Sequence, residues 1–206
     1  MNFETWLTFV VAYTVISLIP GPSVLLVTGQ ALTKGTRAAF VCILGELLGG
    51  IVLIALSLFG VGSILTASSE LFQIVKWAGV AYMAYLGFTQ ILEARNYTEA
   101  TLSQPSNSND VASFNAGFFT AILNPKAIIF YVAFLSQFLD PDGSIYSQFV
   151  IVVVSSTVIV AFVLGGYAVL AGQARRMFRS PRAQRRFGYT GGGCLLGGSV
   201  FMATTR

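Results

Sequence analysis

Six long apolar stretches, separated by short polar segments, run along the 206 residues of this chain. Most of them reach or exceed the ~20 residues that a helix needs to cross the hydrocarbon core of a bilayer. The pattern predicts an all-α integral membrane protein with six transmembrane helices, numbered here as spans 1 to 6. The stretches cover about residues 5–29, 38–66, 71–92, 114–138, 148–172 and 187–204.

The composition agrees with this prediction. Hydrophobic residues make up 55% of the chain and charged residues 10%, with a mean hydropathy of +0.75, whereas soluble domains carry roughly 25% charged residues. The chain has no histidine, and its two isolated cysteines, Cys42 and Cys194, form neither a disulfide framework nor a metal-ligand set. We therefore expect no metal and no cofactor.

The charges indicate an orientation in the membrane rather than a nucleic-acid partner. Nine of the 12 basic residues fall in three loops that a six-span topology places on one side, which is the cytoplasmic side by the positive-inside rule. The loop between spans 4 and 5 carries Asp140 and Asp142 instead, and both chain termini are predicted outside. Six of the basic residues lie in the loop between spans 5 and 6: Arg175, Arg176, Arg179, Arg182, Arg185 and Arg186.

A polar segment rich in Ser, Asn, Thr and Gln divides the chain into two halves at residues 96–113. Residues 1–95 and 114–206 then hold three spans each, and because three is odd, the second unit enters the membrane from the opposite side. We predict two inverted three-helix repeats (3+3) joined by a cytoplasmic linker. Span 6 is short and rich in glycine, so a five-span topology remains the alternative.

The first span of the first half is interrupted by Pro20, Gly21 and Pro22, followed by Ser23. Proline removes a backbone donor and opens the helix, which leaves carbonyl groups upstream without their helical partners. Irregular backbone at membrane depth is tolerated only where protein or a water-filled cavity surrounds it. The break predicts part of a transport site, and a simple proline kink without a ligand is the alternative.

The first span of the second half has a matching break at Asn124, Pro125 and Lys126. Apolar or small residues extend on both sides, so Lys126 is predicted near the bilayer midplane, where a lysine costs at least ~2.5–3.5 kcal/mol. It should face a polar cavity or a partner, unless its side chain reaches up to an interface. Two breaks in corresponding spans are typical of the binding sites of secondary transporters.

Two further residues are candidates for this site. Glu46 in span 2 is the natural partner for Lys126, since pairing would lessen the desolvation of both charges, and it is a candidate proton carrier. A structural ion pair with no role in coupling is the alternative. Tyr85 in span 3 is a candidate for the substrate path, although aromatic residues in spans more often serve packing.

An ordered set of motifs resembles the lysine, homoserine and threonine exporters of bacteria, the LysE/RhtB family. The motifs are residues 17–22 (SLIPGP), residues 76–82 (KWAGVAY) with Leu86-Gly87, residues 124–127 (NPKA) and Gln137-Phe138. The resemblance covers nearly all of the chain. It implies a small inner-membrane protein, dimeric or larger, that exports amino acids using the proton gradient. Among the site residues it supports Pro20, Gly21, Pro22, Asn124, Pro125 and Lys126, but not Glu46.

These observations together predict a secondary transporter that exports small neutral amino acids, such as threonine, homoserine, serine, leucine or cysteine derivatives, by proton antiport. Export of basic amino acids or of another small metabolite is the alternative, but a cationic substrate would require more buried acidic groups than Glu46. A channel and an intramembrane enzyme are weaker alternatives. The chain contains no nucleophile motif or nucleotide-binding loop that would favour an enzyme.

Overall fold

The computed structural model describes residues 1–58, 69–95, 109–131, 135–140, 142–177 and 181–204. Within these ranges the chain forms helices joined by short turns, and no strand is found there. We number the α-helices in chain order. They are α1 (Phe3–Leu18), α2 (Pro22–Thr33), α3 (Thr36–Leu58), α4 (Ser69–Arg95), α5 (Asp110–Ile122), α6 (Pro125–Ile129), α7 (Ile145–Met177) and α8 (Pro181–Thr204), with a 3-10 turn at Leu135–Phe138.

The first apolar stretch forms two helices. α1 ends at Leu18, and α2 begins at Pro22 with Gly21 as its extended N-cap residue. Proline fits the first turn of a helix because the amide that it lacks would have no intrahelical partner there. The axes of α1 and α2 differ by 53°, so the chain changes direction at Ile19–Gly21.

The fourth apolar stretch is also divided. α5 ends at Ile122, and α6 begins at Pro125 with Asn124 as its N-cap residue. The Asn124 side chain accepts a hydrogen bond from the backbone amide of Lys126 at 3.1 Å, which satisfies one of the amides left open at the start of a helix. α5 and α6 are thus separated by two residues, and the short α6 starts in a fixed position.

Two pairs of helices pack with their backbones in close contact. α3 packs along α5, and α4 packs along α8. A Cβ atom added at Gly45 of α3 would overlap the carbonyl oxygen of Phe114, and one added at Gly117 of α5 would overlap that of Cys42. The glycines therefore permit an approach that any larger residue would prevent.

The half-helix α2 lies at the centre of the molecule. It contacts α3, α7 and α8 and also touches α4 and α5. Val24, Leu26 and Val27 are buried in one apolar cluster with Cys42 of α3 and Leu164 of α7. Both ends of α2 consequently open onto the interior of the helix bundle.

The last two helices extend beyond the apolar stretches that predicted them. α7 has 33 residues and α8 has 24, so α7 is about 50 Å long, against a hydrocarbon core of ~30 Å. Arg175 and Arg176 belong to the last turns of α7, and Arg182, Arg185 and Arg186 to the first turns of α8. Arginine is a good helix former, and a hydropathy pattern detects only the apolar part of such a helix.

Large apolar side chains cover much of the outer surface. Leu7, Val11, Val15 and Leu18 of α1 recur at three- or four-residue spacing and are about half exposed. Among the described residues, two helices are long and apolar enough to cross a membrane, Thr36–Leu58 and Ile145–Arg175, and the bent α1/α2 pair makes a third if it is one span. These features are those of a protein whose solvent is lipid.

Parts of two predicted segments lie outside the described residues. Residues 96–108 of the predicted linker 96–113 lie outside the described residues. The remainder of that linker is described: Asn109 caps α5, and Asp110–Ser113 form the first turn of α5. The end of predicted span 2, residues 59–66, lies outside them as well. The division into two halves therefore stays a prediction.

Candidate functional site

A cavity of about 70 Å³ lies where the two broken spans meet. This volume corresponds to roughly two water molecules at ~30 Å³ each. Six of the helices described above contribute to its wall: α1, α2, α3, α5, α6 and α7. The polar lining residues are Tyr13, Ser17, Ser23, Glu46, Asn124, Lys126 and Tyr131, and the remaining lining residues are apolar or glycine.

Lys126 binds the open carbonyl groups of the first break. Its Nζ atom donates to the carbonyl oxygen of Ile16 at 3.0 Å and to that of Ile19 at 2.8 Å. These carbonyls belong to the last turn of α1 and to its C-cap residue, where a helix has acceptors to spare. The Ile16 carbonyl also accepts from the backbone amide of Ile19 at 3.2 Å. A cation from one half of the chain therefore completes the broken backbone of the other half.

A third carbonyl of this break is also occupied. The hydroxyl of Tyr167 on α7 donates to the carbonyl oxygen of Leu18 at 3.0 Å. Sequence reasoning expected carbonyls near Ser17 and Leu18 to become available acceptors. In this conformation the acceptors at Ile16, Leu18 and Ile19 are instead bound by side chains of the protein.

Asn124, Ser23 and Glu46 form a chain of hydrogen bonds beside Lys126. Asn124 Nδ2 donates to Ser23 Oγ at 3.0 Å, and Ser23 Oγ donates to Glu46 Oε2 at 2.9 Å. Glu46 is only 4% exposed, and its Oε1 atom is buried without a hydrogen-bond partner among the described residues. A buried oxygen left without a donor is costly, so this carboxylate is incompletely satisfied by that part of the chain.

The direct ion pair between Glu46 and Lys126 that the sequence suggested does not form. The ion pairs seen in the described part of the chain include Met1 with Asp140 and Arg37 with Asp110, neither of which involves Glu46 or Lys126. Lys126 donates hydrogen bonds to backbone carbonyls, and Glu46 accepts one from Ser23, although both side chains line the same cavity. The two charges therefore face the same small space without touching.

The other predicted residues are distributed around this arrangement. Pro22 starts α2, and a Cβ atom added at Gly21 would lie 3.4 Å from Lys126 Nζ. Pro20 is exposed within the break, and Pro125 is the first residue of α6, its ring being outside the described side chains. Tyr85 does not join this site: it is 62% exposed and lines a separate cavity at the other end of α2.

Residues 14–204 of the chain match the family of LysE type translocators. The chain belongs to this family. A translocator moves its substrate across a membrane, so the protein is a transporter and not an enzyme. The LysE/RhtB membership expected from the sequence motifs is thereby confirmed.

Three relatives illustrate the similarity. An uncharacterized membrane protein of Vibrio cholerae is 30% identical over 206 residues, covering all of both chains. The homoserine/homoserine lactone efflux protein of Salmonella typhi is 29% identical over 100% of this chain and 99% of its own. The leucine efflux protein of Salmonella choleraesuis is 30% identical over 169 residues, 80% of this chain and 77% of its own. No solved structure is significantly similar.

Sequence reasoning missed two tyrosines of this translocator's cavity. Tyr13 and Tyr131 line the cavity and are buried in an aromatic cluster with Phe9 and Phe130. Tyr13 lies seven residues before Pro20, two helical turns along the same face, and this spacing was a usable signal. For Tyr131 the sequence offers no comparable signal, because the chain leaves regular α-helix after Ile129.

No group of three or more metal-ligating side chains is found in the described ranges. The cavity offers one ammonium, one carboxylate, two aliphatic hydroxyls, one side-chain amide and two phenols. Such a set can bind both ends of a zwitterion and can exchange a proton, without chemistry on the ligand.

Proposed function

We propose that this translocator exports small neutral amino acids from the cytoplasm in exchange for protons, with the cavity at Lys126 as its central binding site. Family membership supports transport, and the names of two relatives, a homoserine/homoserine lactone efflux protein and a leucine efflux protein, support amino acids as the substrate class. Because the two relatives are similar to this chain to nearly the same degree, 29% and 30% identity, the comparison favours neither homoserine nor leucine as the substrate.

The observation that carries this proposal is the binding of Lys126 Nζ to the carbonyls of Ile16 and Ile19. The carbonyls of Ile16 and Ile19 together form a binding site for an ammonium group. In this conformation the ammonium of Lys126 occupies that site. The ammonium group of a substrate has the same donors and charge, so it competes with Lys126 for these carbonyls. A displaced Lys126 is then placed to bind the substrate carboxylate.

The cavity is too small in this conformation to hold an amino acid. Sites for small molecules usually enclose about 300–1,000 Å³, well above the 70 Å³ found here. Binding of an amino acid therefore requires the walls to separate. The substrate and Lys126 exchange partners as the two halves of the chain move against each other.

Glu46 is proposed as the proton carrier. Its carboxylate is buried, faces Lys126 across the cavity, and is linked through Ser23 to Asn124 at the second break. When the site opens to the outside, Glu46 takes up a proton, and when the site opens to the cytoplasm it releases that proton as substrate binds. In this scheme the outward movement of the amino acid is coupled to the inward movement of protons.

The described contacts support a six-span topology with inverted 3+3 repeats and both termini outside. Arg37 of α3 contacts Asp110 of α5 at 2.8 Å, and Arg175 of α7 donates to the carbonyl of Thr33 at 3.2 Å. These basic segments therefore gather at one end of the molecule. The amino group of Met1 lies 3.7 Å from Asp140, which groups the N-terminus with the acidic loop. α8, with 24 residues, is long enough to serve as span 6.

The central test is amino-acid export by a Lys126→Ala variant in a bacterium that lacks its own exporters. We expect wild-type overproduction to lower one or more neutral amino acids inside the cells and raise them outside, and the variant to lose at least about 90% of this export. Removing the ammonium takes one donor away from each of the Ile16 and Ile19 carbonyls and leaves the substrate carboxylate without its partner. Mass spectrometry of cells and medium measures all amino acids together.

Arg37→Ala is the matched control, because it removes one positive charge from an exposed pair away from the cavity. Both variants must reach wild-type amounts in the membrane, as checked by immunoblotting. Normal export by Lys126→Ala would remove Lys126 from the mechanism. Wild-type export of lysine or arginine in preference to neutral amino acids would contradict the proposed substrate class.

A further inference from the structure

Helix α7 gives the cavity at Lys126 an aliphatic wall. The residues of α7 that line the cavity are Val160, Val163 and Leu164, and each of them carries a branched hydrocarbon side chain. Val160 lies three and four residues before the other two, so all three share one face of the helix. Leu164 is buried in the apolar cluster around α2, and Val160 packs against the same cluster. We call these three residues the α7 wall.

The polar groups of the cavity come from other segments. Ser23, Glu46 and Asn124 are joined by hydrogen bonds, and Lys126 binds the carbonyls at the end of α1. The remaining polar lining residues belong to α1 or follow α6, and within the described ranges α7 adds none. The cavity thus takes its charges and hydroxyls from one set of segments and an aliphatic surface from another.

A hydrogen bond fixes the α7 wall beside the ammonium site. The hydroxyl of Tyr167 donates to the carbonyl oxygen of Leu18 at 3.0 Å, and the carbonyls that bind Lys126 lie directly on either side of Leu18 in the broken segment. Val163 and Leu164 precede Tyr167 by one helical turn, or ~5 Å along the axis of α7. The wall therefore begins about one turn away from the carbonyls at which a substrate ammonium would bind.

This arrangement leaves the side chain of the substrate to meet the α7 wall. Once the ammonium takes the α1 carbonyls and the carboxylate takes Lys126, the side chain is the remaining group of the amino acid. An aliphatic side chain gains free energy with each carbon that it buries against such a surface. A hydroxyl would give up its bonds to water and receive no hydrogen bond from the wall in return, which is unfavourable.

We propose that the α7 wall selects the substrate by its side chain, and that aliphatic amino acids such as leucine and valine are preferred to hydroxylated ones such as homoserine and threonine. This inference rests on the proposed function and deepens it by naming the class of neutral amino acid. Val163 is the member to vary, because it is only partly buried, whereas Leu164 is 3% exposed and belongs to the core.

Competitive uptake into inside-out membrane vesicles tests the wall. The vesicles receive an equimolar mixture of neutral L-amino acids that includes L-homoserine, and mass spectrometry of their contents gives two ratios of uptake rates, leucine to homoserine and valine to threonine. Neither ratio depends on the amount of protein. We expect wild type to prefer the aliphatic member of each pair at least tenfold. Val163→Thr, which exchanges a methyl group for a hydroxyl at nearly constant shape, should lower both ratios about threefold to tenfold.

Val158→Thr is the matched control, because it makes the same exchange on the same helix at a position that is 47% exposed and does not line the cavity. Its ratios should equal those of wild type. If Val163→Thr does not reach the membrane, Val160→Thr takes its place with the same expected result.

The outcomes separate this inference from the proposed function. A wild-type preference for the hydroxylated member of either pair, wild-type ratios in Val163→Thr, or an equal fall in Val158→Thr would overturn the α7 wall and leave the proposed function standing. Uptake of neutral amino acids that excludes both pairs would overturn the wall as well. Wild-type vesicles that take up no neutral amino acid beyond the level of vesicles without the protein would contradict the proposed function itself.

Discussion

The carboxylate of Glu46 is held by a single hydrogen bond, from Ser23, while its second oxygen is buried without a partner. This arrangement differs from a structural ion pair, in which both charges would satisfy each other. Lys126 is close enough to share the cavity and yet bonds elsewhere. Glu46 can therefore gain or lose a proton without breaking an ion pair that the fold needs.

Replacing Glu46 with glutamine should separate transport from proton coupling. Glutamine keeps the size of the side chain and an acceptor for Ser23, but it cannot release a proton. We expect the variant to exchange labelled for unlabelled amino acid across vesicle membranes at a rate within about threefold of wild type, while uptake driven by an imposed pH gradient falls at least tenfold.

Ser23→Ala provides the comparison for this prediction, since it removes the hydrogen bond to Glu46 and leaves the carboxylate in place. It should transport more slowly and stay sensitive to the pH gradient. Full pH-driven uptake by Glu46→Gln would assign the proton to a different group.

At the scale of the elements, α3 and α5 are the most closely packed pair. Gly45 and Gly49 of α3 face Phe114 and Phe118 of α5, and Gly117 of α5 faces Cys42 of α3. Lipid supplies little hydrophobic driving force between helices, so such contacts depend on van der Waals packing and short backbone distances. The packing of this helix pair also fixes the position of Glu46 along the axis of α3, because Glu46 directly follows Gly45.

Gly45→Ala should destabilise the protein measurably, because the new Cβ would overlap the backbone of Phe114 rather than a flexible side chain. Overpacking of this kind typically costs about 1–3 kcal/mol, or roughly 2–12 °C in Tm for a chain of this size. The change in Tm is measured by heating the detergent-solubilised protein and monitoring the loss of folded protein by size-exclusion chromatography.

Gly50→Ala on the same helix is the matched control, since a Cβ atom there meets nothing within 4 Å. Alanine also favours a helix over glycine. The Tm of Gly50→Ala should be unchanged or slightly higher. Equal losses in both variants would contradict the packing argument.

At the scale of the whole molecule, contacts between distant segments group the chain ends and loops. The Arg37–Asp110 and Arg175–Thr33 contacts join the basic segments, and the Met1–Asp140 contact joins the N-terminus to the acidic loop. A bacterial membrane retains basic loops on the cytoplasmic side. The proposed orientation therefore places the cavity lined by Gln90, at the opposite end of α2 from Lys126, toward the cytoplasm.

Alkaline phosphatase fusions test this orientation, because the enzyme is active only outside the cytoplasm. We expect high activity for a fusion at Arg206 and at least tenfold less for an insertion at Pro105 in the predicted linker. Two positions with equal activity would contradict the six-span topology. Low activity at Arg206 would favour five spans, which place the two termini on opposite sides.

The position of the central site could be predicted from particular residues. Pro20, Gly21 and Pro22 predicted the end of one helix and the start of another because proline acts on its own backbone, and the same reasoning applied to Asn124 and Pro125. The burial of Glu46 and the partial burial of Lys126 followed from their distance to the ends of apolar stretches. All of these are local properties of the chain.

The partners of those residues could not be predicted. Lys126 bonds to Ile16, 110 residues earlier, and Asn124 bonds to Ser23, 101 residues earlier. Such contacts depend on the rotation and depth of helices that belong to different halves, and apolar residues facing lipid do not fix that rotation as a soluble core would. For this reason the sequence could offer a Glu46–Lys126 pair only as one possibility, which the structure does not form, and Tyr131 was missed.

The sequence by itself determined the membrane class and the family, the start of a helix at Pro22 and at Pro125, and the burial of Glu46, because hydropathy, proline and charge act on the residues that carry them. Only the tertiary structure decided that Lys126 fills the carbonyls of the first break, that Ser23 links Glu46 to Asn124, and that α2 carries a second polar cavity. These arrangements arise when helices from the two halves pack together, and packing is a property of surfaces that the order of residues does not display.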